Sequence, residues 1–201
     1  MESRRLIVGL GNPGREYADT RHNAGFLLVE RLARVWGGEW RESRRFRSRL
    51  AAVRQATGEA VLCAPETYMN GSGEAVGSLS GFYRVPPERI LVAVDDADLP
   101  LGHLRLRPEG SSGGHHGLES IEQHLGTRAY PRLRIGIGRR PEAGREITGF
   151  VLGRFDPEER QLLATVLERA TAAIECWLAD GIAKAMNRFN GAAVPPSTKD
   201  N

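Results

Sequence analysis

The chain has 201 residues, of which 40% are hydrophobic and 26% are charged, and its formal net charge is +3. This length supports one sizeable core, and no low-complexity linker or shift in composition divides the chain, so we expect a single domain. No apolar run reaches the ~18 residues of a membrane span, and residues 1–5 lead into a short strand instead of a signal-peptide core, so we expect a soluble cytoplasmic protein.

Arginine supplies nearly all of the positive charge, because lysine occurs only at Lys184 and Lys199. The planar guanidinium fork suits phosphate oxygens, so a polyanionic partner is consistent with the composition, although a genome biased towards arginine would give the same result. Cys63 and Cys176 are the only cysteines, and both lie in apolar settings. They predict buried thiols, not a disulfide framework or a zinc cluster.

The first half of the chain alternates between short apolar runs and segments with helical periodicity. Glycines bracket most of the apolar runs, as is typical of strands in an α/β protein. The predicted elements are a strand at Leu6–Leu10, a helix at Ala24–Trp36, strands at Arg49–Val53 and Ala60–Ala64, and a helix at Gly73–Tyr83.

The second half continues this alternation and ends in a long helix. Its predicted elements are strands at Ile90–Val94, Leu104–Arg107 and Leu133–Ile137, and a helix at Gly117–Leu125. Asp156-Pro157-Glu158-Glu159 has the pattern of a capped helix start, and the apolar stripe that follows ends at Gly181. We predict a single α/β domain over residues 1–190 and a disordered tail over 191–201, which is rich in proline and polar residues.

The first strand leads into Gly9-x-Gly11-x-x-Gly14, which has the spacing of a dinucleotide-binding turn. Two features argue against that function. Residues 15–23 are polar and aperiodic, whereas the motif requires a helix to open at the third glycine. A helical repeat also occupies the place of the second strand and its acidic residue. A nucleotide-dependent oxidoreductase is therefore the less favoured class.

Three predicted loops at strand ends carry the reactive side chains, which are Asn12, Tyr17, His22 and Asn23 in the first, Thr67, Tyr68, Met69 and Asn70 in the second, and Asp95, Asp96 and Asp98 in the third. In α/β sheets such loops hold ligands and catalytic groups. If His22 meets one of the aspartates, the carboxylate would orient the imidazole, whose other nitrogen could take a proton. No serine or cysteine nucleophile motif is evident, which favours water as the attacking group.

Each of these loops also has an alternative interpretation. His22 could be a surface or capping residue, and the aspartates could bind a divalent cation or simply end a strand. The loop Gly110–Gly117 could hold an anion on its backbone amides or serve as a flexible connector. The histidines lack the spacing of a zinc site, and we expect no metal.

Several motifs occur in a fixed order along the chain: Gly9-Leu10-Gly11-Asn12-Pro13-Gly14, Tyr17, Thr20-Arg21-His22-Asn23-x-Gly25-Phe26, Thr67-Tyr68-Met69-Asn70-x-Ser72-Gly73, Asp95-Asp96-x-Asp98-Leu99-Pro100, Gly113-Gly114-His115 and Arg132-Leu133-Arg134-Ile135-Gly136-Ile137-Gly138. Together they resemble the bacterial-type peptidyl-tRNA hydrolases. The resemblance extends from about Leu6 to Phe189. That family cleaves the ester between a peptide and the 3′ end of tRNA, which recycles tRNA from stalled or abandoned translation.

The resemblance implies roles for particular residues. His22 would be the general base for the attacking water, Asp95 would orient it, and Asn12 and Asn70 would position the peptide and ester carbonyls. The remaining site residues that it implies are Tyr17, Tyr68, Met69 and His116 in the nucleotide and peptide walls, and Arg105, Arg107 and Arg134 near tRNA phosphates. The implied fold is one α/β domain with a mixed twisted sheet between helices. The implied protein is a monomer that uses no metal or cofactor.

One position departs from the family pattern. The family usually has asparagine after Gly-Gly-His, whereas this chain has His116. The alternative function is therefore a non-catalytic, RNA-binding relative of the same fold. The presence of Asn12, His22, Asn70 and Asp95 favours the enzyme.

Overall fold

The structure, a computed structural model, describes residues 4–138 and 147–193, which contain six α-helices and eight strands. The helices are α1 (Ala24–Trp36), α2 (Ser72–Tyr83), α3 (His116–Leu125), α4 (Ile147–Val151), α5 (Pro157–Asp180) and α6 (Ile182–Phe189). The strands are β1 (Arg5–Gly9), β2 (Arg41–Ser43), β3 (Ser48–Gln55), β4 (Gly58–Pro65), β5 (Ile90–Asp96), β6 (His103–Arg107), β7 (Arg132–Gly136) and β8 (Gly191–Ala192).

The strands form one mixed, 8-stranded sheet in the order β2-β3-β4-β1-β5-β7-β6-β8. The four central strands β4, β1, β5 and β7 are parallel, and the strands outside them pair antiparallel. Parallel strands end at the same edge of a sheet, so the loops that follow β1, β4 and β5 lie side by side. This is the edge where the sequence predicted the functional loops.

Helices cover both faces of the sheet. Along β1, Ile7 belongs to the apolar cluster shared with α1, α5 and α6, whereas its neighbours Leu6 and Val8 belong to the cluster shared with α2 and α3. This alternation follows from the two-residue period of a strand, whose successive side chains face opposite ways. The single α/β domain with a mixed sheet and a long C-terminal helix is therefore confirmed.

The predicted helices and strands are all present, and the α1 prediction matches both ends of the helix. The sequence did not predict β2, α4 or α6, which are short elements of three to eight residues. Gly191–Ala192, assigned to a disordered tail, instead form β8 and pair with β6. Ala193 follows β8, and its N–H donates to the Gly102 oxygen. Residues 194–201 of that predicted tail lie outside the described residues, and the domain boundary stays a prediction.

The predicted cap of α5 is confirmed. Asp156 accepts a hydrogen bond from the Glu159 N–H at 2.9 Å, and the Glu159 carboxylate accepts one from the Asp156 N–H at 2.9 Å. This reciprocal pair satisfies two backbone donors that the first turn of a helix otherwise leaves unpaired. It fixes where α5 begins.

The glycine-rich turn after β1 serves helix packing. A Cβ atom added to Gly9 would lie 2.2 Å from the Gly25 carbonyl oxygen, so this contact requires glycine. The Leu10 N–H donates to the Ala93 oxygen at 2.9 Å, and the Phe26 N–H donates to the Leu10 oxygen at 3.2 Å. The start of α1 therefore rests directly on the ends of β1 and β5, which agrees with the arguments against a dinucleotide site.

Two further expectations concern membrane-spanning helices and the state of the two cysteines. Within the described residues, no helix is both long enough and apolar enough to span a membrane. Cys63 and Cys176 are both buried free thiols, as predicted.

We predict that Gly9→Ala lowers the free energy of unfolding by about 1–3 kcal/mol, because the added methyl group must displace the Gly25 backbone. Gly81→Ala is the matched control, since Gly81 lies within α2 and a Cβ there would meet nothing within 4 Å. The control should gain about 0.5–1 kcal/mol from helix propensity. Urea unfolding measures both, and a wild-type midpoint for Gly9→Ala would contradict the packing argument.

Candidate active site

The three polar loops meet in one cleft of about 700 Å³ at the carboxyl ends of the central strands. Ten of the predicted site residues line it, namely Asn12, His22, Tyr68, Met69, Asn70, Asp95, Arg105, Arg107, His116 and Arg134. Tyr17 does not line it, although the resemblance implied that it would. The Tyr17 side chain is half-buried, and its carbonyl oxygen accepts bonds from the Thr20 N–H and hydroxyl.

The centre of the cleft is the carboxylate of Asp95, which is only 3% exposed. Its Oδ1 lies 3.0 Å from Nδ1 of His22 and 3.0 Å from Nε2 of His115. Its Oδ2 lies 3.2 Å from the same His22 nitrogen. The predicted pairing of His22 with an aspartate is therefore present, and the aspartate is Asp95.

The surroundings of Asp95 keep its carboxyl group ionised. Burial raises its pKa, but the charges and hydrogen bonds of His115 and His22 together outweigh burial and lower the pKa from 3.8 to about 2. An ionised carboxylate only accepts hydrogen bonds, so both imidazoles must donate to it. This requirement determines where each ring carries its proton.

The two imidazoles have different tautomers when neutral. Nδ1 of His115 accepts a bond from the Gly117 N–H at 3.2 Å, so its proton is on Nε2, which donates to Asp95. His22 donates through Nδ1, which leaves the lone pair of its Nε2 without a partner among the described residues. We assign these tautomers from the hydrogen bonds. Of the two neutral histidines at Asp95, only His22 has a lone pair that no described residue occupies.

His115 is the residue that the sequence-based reasoning missed as part of the site. The Gly113-Gly114-His115 motif was the available signal, but only the next residue, His116, was predicted to lie in the site. The His116 side chain is 76% exposed, and its Nδ1 lies 3.0 Å from the Glu119 carboxylate. His116 therefore lies on the rim of the cleft, while His115 contacts the buried Asp95.

Asn12 is held in a fixed orientation. Its Oδ1 accepts a bond from the Met69 N–H at 2.9 Å, which leaves its side-chain NH₂ group as a donor in the cleft. The Asn23 side chain accepts from the Asn12 N–H at 2.8 Å and donates to the Asn12 oxygen at 3.0 Å. Asn23 is buried and acts as the support that holds the Asn12 backbone.

The loop after β4 forms one wall of the cleft. Tyr68 is 66% exposed and presents an open aromatic ring, and Asn70 is also exposed. Met69 lies between them with its side chain buried in the apolar cluster under α2 and α3. The wall therefore offers a ring and an amide to a ligand, while Met69 anchors it.

The three predicted arginines have different environments. Arg105 and Arg107 are exposed, lie on the same face of β6, and form no ion pair among the described residues. Arg134 is mostly buried, pairs with Asp96 at 3.3 Å and donates to the Ser111 and Ser112 carbonyl oxygens. Arg134 therefore holds the loop before α3 in place, and two guanidinium groups remain open to a ligand.

His22, Asp95 and His115 also form a group in which a metal ion could be held, because their ligand atoms all lie within 4.8 Å of one another. The carboxylate of Asp95, which would be one of the ligands, already accepts hydrogen bonds from His22 and His115. A cation there would therefore compete with those hydrogen bonds for the carboxylate. The absence of a metal requirement stays a prediction.

Comparisons with known proteins agree with the geometry. The sequence profile of the family described as peptidyl-tRNA hydrolase matches residues 6–197. Peptidyl-tRNA hydrolases of Synechococcus sp. (strain JA-3-3Ab) and Gloeobacter violaceus are each 50% identical over 186 residues. The alignments cover 92% of this chain in both cases, and 82% and 93% of those two proteins.

A solved structure leads to the same family. The crystal structure of peptidyl-tRNA hydrolase from Acinetobacter baumannii superimposes with a TM-score of 0.88 and 39% sequence identity. The superposition covers 96% of this chain and 97% of that one. Fold and sequence therefore point to one family along almost the whole chain.

The pKa of Asp95 predicts how stability depends on pH. Because folding lowers this pKa from 3.8 to about 2, the ionised carboxylate stabilises the folded state above pH 3.8 and loses that effect as the pH falls towards 2. We predict that the difference in unfolding free energy between wild type and Asp95→Asn shrinks by about 2 kcal/mol over this range. Urea unfolding at several pH values measures it, and a difference that does not change with pH would refute the prediction.

Proposed function

The chain belongs to the peptidyl-tRNA hydrolase family, and we propose that it cleaves its substrate with a water molecule activated by His22. Its activity is the hydrolysis of peptidyl-tRNA, and it is an enzyme of that class. A non-catalytic RNA-binding role is not favoured, because relatives that are 50% identical over 92% of the chain are named as hydrolases. The assignment of individual residues to steps of the reaction is our proposal.

The observation that carries this mechanism is the free Nε2 of His22 beside a buried, ionised Asp95. In the proposed step, Nε2 takes a proton from water while the water oxygen attacks the ester carbonyl carbon. Asp95 stabilises the imidazolium that forms. The same Nε2–H then returns the proton to the 3′ oxygen of the tRNA as the carbon–oxygen bond of the ester breaks. The products are a peptide acid and a tRNA with a free hydroxyl.

Water is a better candidate for the nucleophile than either cysteine. Burial raises the pKa of the Cys63 thiol to about 12, even though a hydrogen bond with Ser48 acts in the opposite direction, so this thiol stays protonated. Cys176 is buried within α5 and does not line the cleft. A thiol must ionise to attack a carbonyl, which the burial of Cys63 disfavours, and Cys176 lies outside the cleft.

Asn12 and Asn70 are proposed to hold the substrate carbonyls. The oriented NH₂ group of Asn12 can donate to a carbonyl oxygen, and a donor fixed in this way is effective when negative charge develops on that oxygen. Asn70 offers a second side-chain amide donor from the loop after β4. His115 is proposed as a positioning residue that keeps Asp95 ionised and turned towards His22.

The tRNA is proposed to bind across two parts of the rim. The exposed ring of Tyr68 can stack on a base, which is a common way to hold an unpaired nucleotide. Arg105 and Arg107 can contact phosphates. His116 donates from Nδ1 to Glu119, so its Nε2 is left as an acceptor where the family usually has an amide. A monomeric state and a cytoplasmic location stay predictions, and gel filtration would test the first.

We predict that His22→Ala lowers kcat by about 10²–10⁴-fold while substrate still binds, because a positioned general base contributes about this much. Single-turnover hydrolysis of N-acetylaminoacyl-tRNA measures the rate, and filter binding measures affinity. The control is His124→Ala, since His124 is exposed on α3 and does not line the cleft. Turnover near the wild-type rate in His22→Ala would rule out the proposed base.

We predict that Arg105→Ala and Arg107→Ala raise KM for full-length peptidyl-tRNA and reduce the salt dependence of binding, because phosphate contacts release counterions. The KM for a short 3′-terminal fragment should stay the same. Arg34→Ala is the control, because Arg34 is an exposed arginine on α1 outside the cleft. Equal losses on both substrates would mean that these arginines do not act through tRNA phosphates.

A further inference from the structure

Arg21 directly precedes the proposed base, yet its side chain does not line the cleft. The side chain is only 8% exposed, and its guanidinium lies 2.5 Å from the Glu159 carboxylate in the first turn of α5. It also donates to the Arg154 carbonyl oxygen at 2.8 Å. A buried guanidinium costs free energy unless it is paired, so these contacts keep the side chain in one place.

Two aromatic rings complete the surroundings of this guanidinium. Its central carbon lies 4.7 Å from the ring centre of Phe150 and 5.4 Å from that of Phe155. Phe150 lies in α4, and Phe155 lies in the segment that joins α4 to α5. A planar guanidinium can stack on rings while it donates hydrogen bonds at its edge, and an ammonium group cannot do both in the same way.

The backbone makes a second connection between the same parts. The Arg21 N–H donates to the Gly153 oxygen at 2.9 Å, and Thr20 forms an antiparallel bridge with Arg154. The short turn that carries His22 is therefore joined to residues 150–155 through its backbone and through the Arg21 side chain. We refer to these contacts of Arg21 with residues 150–155 and Glu159 as the Arg21 clamp.

The segment held by the Arg21 clamp forms part of the active site. One wall of the cleft that contains His22 is formed by residues in or next to α4, namely Ile147, Thr148, Val151 and Leu152. We refer to these four residues as the α4 wall. The opposite side of His22 is held by Asp95. The distance between the α4 wall and Nε2 of His22 is therefore set by contacts that involve Arg21.

We infer that Arg21 is a positioning residue, which fixes the α4 wall and His22 relative to each other so that a bound ester meets the activated water. This inference rests on the proposed role of His22. Because Arg21 does not line the cleft, its loss should remove little ground-state binding and should act on kcat. A displacement of about 1 Å can cost about 10²-fold in rate, so even a small loosening would be measurable.

Two conservative substitutions test the inference, because each keeps a side chain of similar size at its position. Arg21→Lys keeps a positive charge but loses the planar fork and the stacking. Glu159→Gln removes the charge of the partner, but glutamine can still cap the Asp156 N–H, so α5 should start as before. Arg160→Lys is the matched control, because Arg160 lies in the same turn and donates to a backbone oxygen, that of Phe155, without contacting the turn of His22.

We expect Arg21→Lys and Glu159→Gln each to lower kcat by about 10- to 100-fold, with KM for N-acetylaminoacyl-tRNA changed by less than about threefold. The double variant should be about as active as the slower single variant, since the two residues act as one unit. Arg160→Lys should match wild type. Rates are measured well below the melting temperature of each variant and normalised to folded protein.

The inference is overturned if kcat per folded molecule is unchanged in both single variants, which would leave Arg21 with a role in stability only. It is also overturned if the losses multiply in the double variant, or if KM rises while kcat is retained. Failure of the proposed function would look different. In that case, His22→Ala would retain activity whatever the behaviour of the Arg21 variants.

Discussion

A charged carboxylate buried between two loops is the constraint on which the rest of the site depends. Asp95 is almost inaccessible to water, so its charge requires donors from the protein. His22 supplies one from the turn before α1, and His115 supplies another from the cap of α3. Because each imidazole must donate to the same group, one charge fixes the position of two loops and the protons of both rings.

The fold brings these groups together through close backbone packing. The contact between Gly9 and Gly25 lets α1 begin on the ends of β1 and β5, and the turn before it then lies over Asp95. Asn23 holds Asn12 from the same turn, while Arg21 connects the turn to the α4 wall. One short segment, residues 20–25, thus contains the proposed base and connects it to the sheet, to Asn12 and to the α4 wall.

Features with local causes were predictable from the sequence. The helical repeat gave α1 its observed ends, and the capping pattern located the start of α5. Features that depend on distant contacts were not: β8 exists because Gly191 and Ala192 pair with β6. His115 and His116 are neighbours of the same type, so only the position of Asp95 distinguishes the buried one. The contacts of Arg134 with Asp96 and the Ser111 carbonyl oxygen likewise depend on distant parts of the chain, and its position near tRNA phosphates stays a prediction.

The assignment of protons to the two histidines is the central claim, and nitrogen-15 NMR of the imidazole rings tests it most directly. At neutral pH and without substrate, the account predicts that neutral His22 carries its proton on Nδ1 and His115 carries its proton on Nε2. Substitution of each histidine in turn would assign the signals. A neutral His22 protonated on Nε2 would have its lone pair on Nδ1, which faces Asp95 and not an attacking water, and this result would contradict the proposed mechanism.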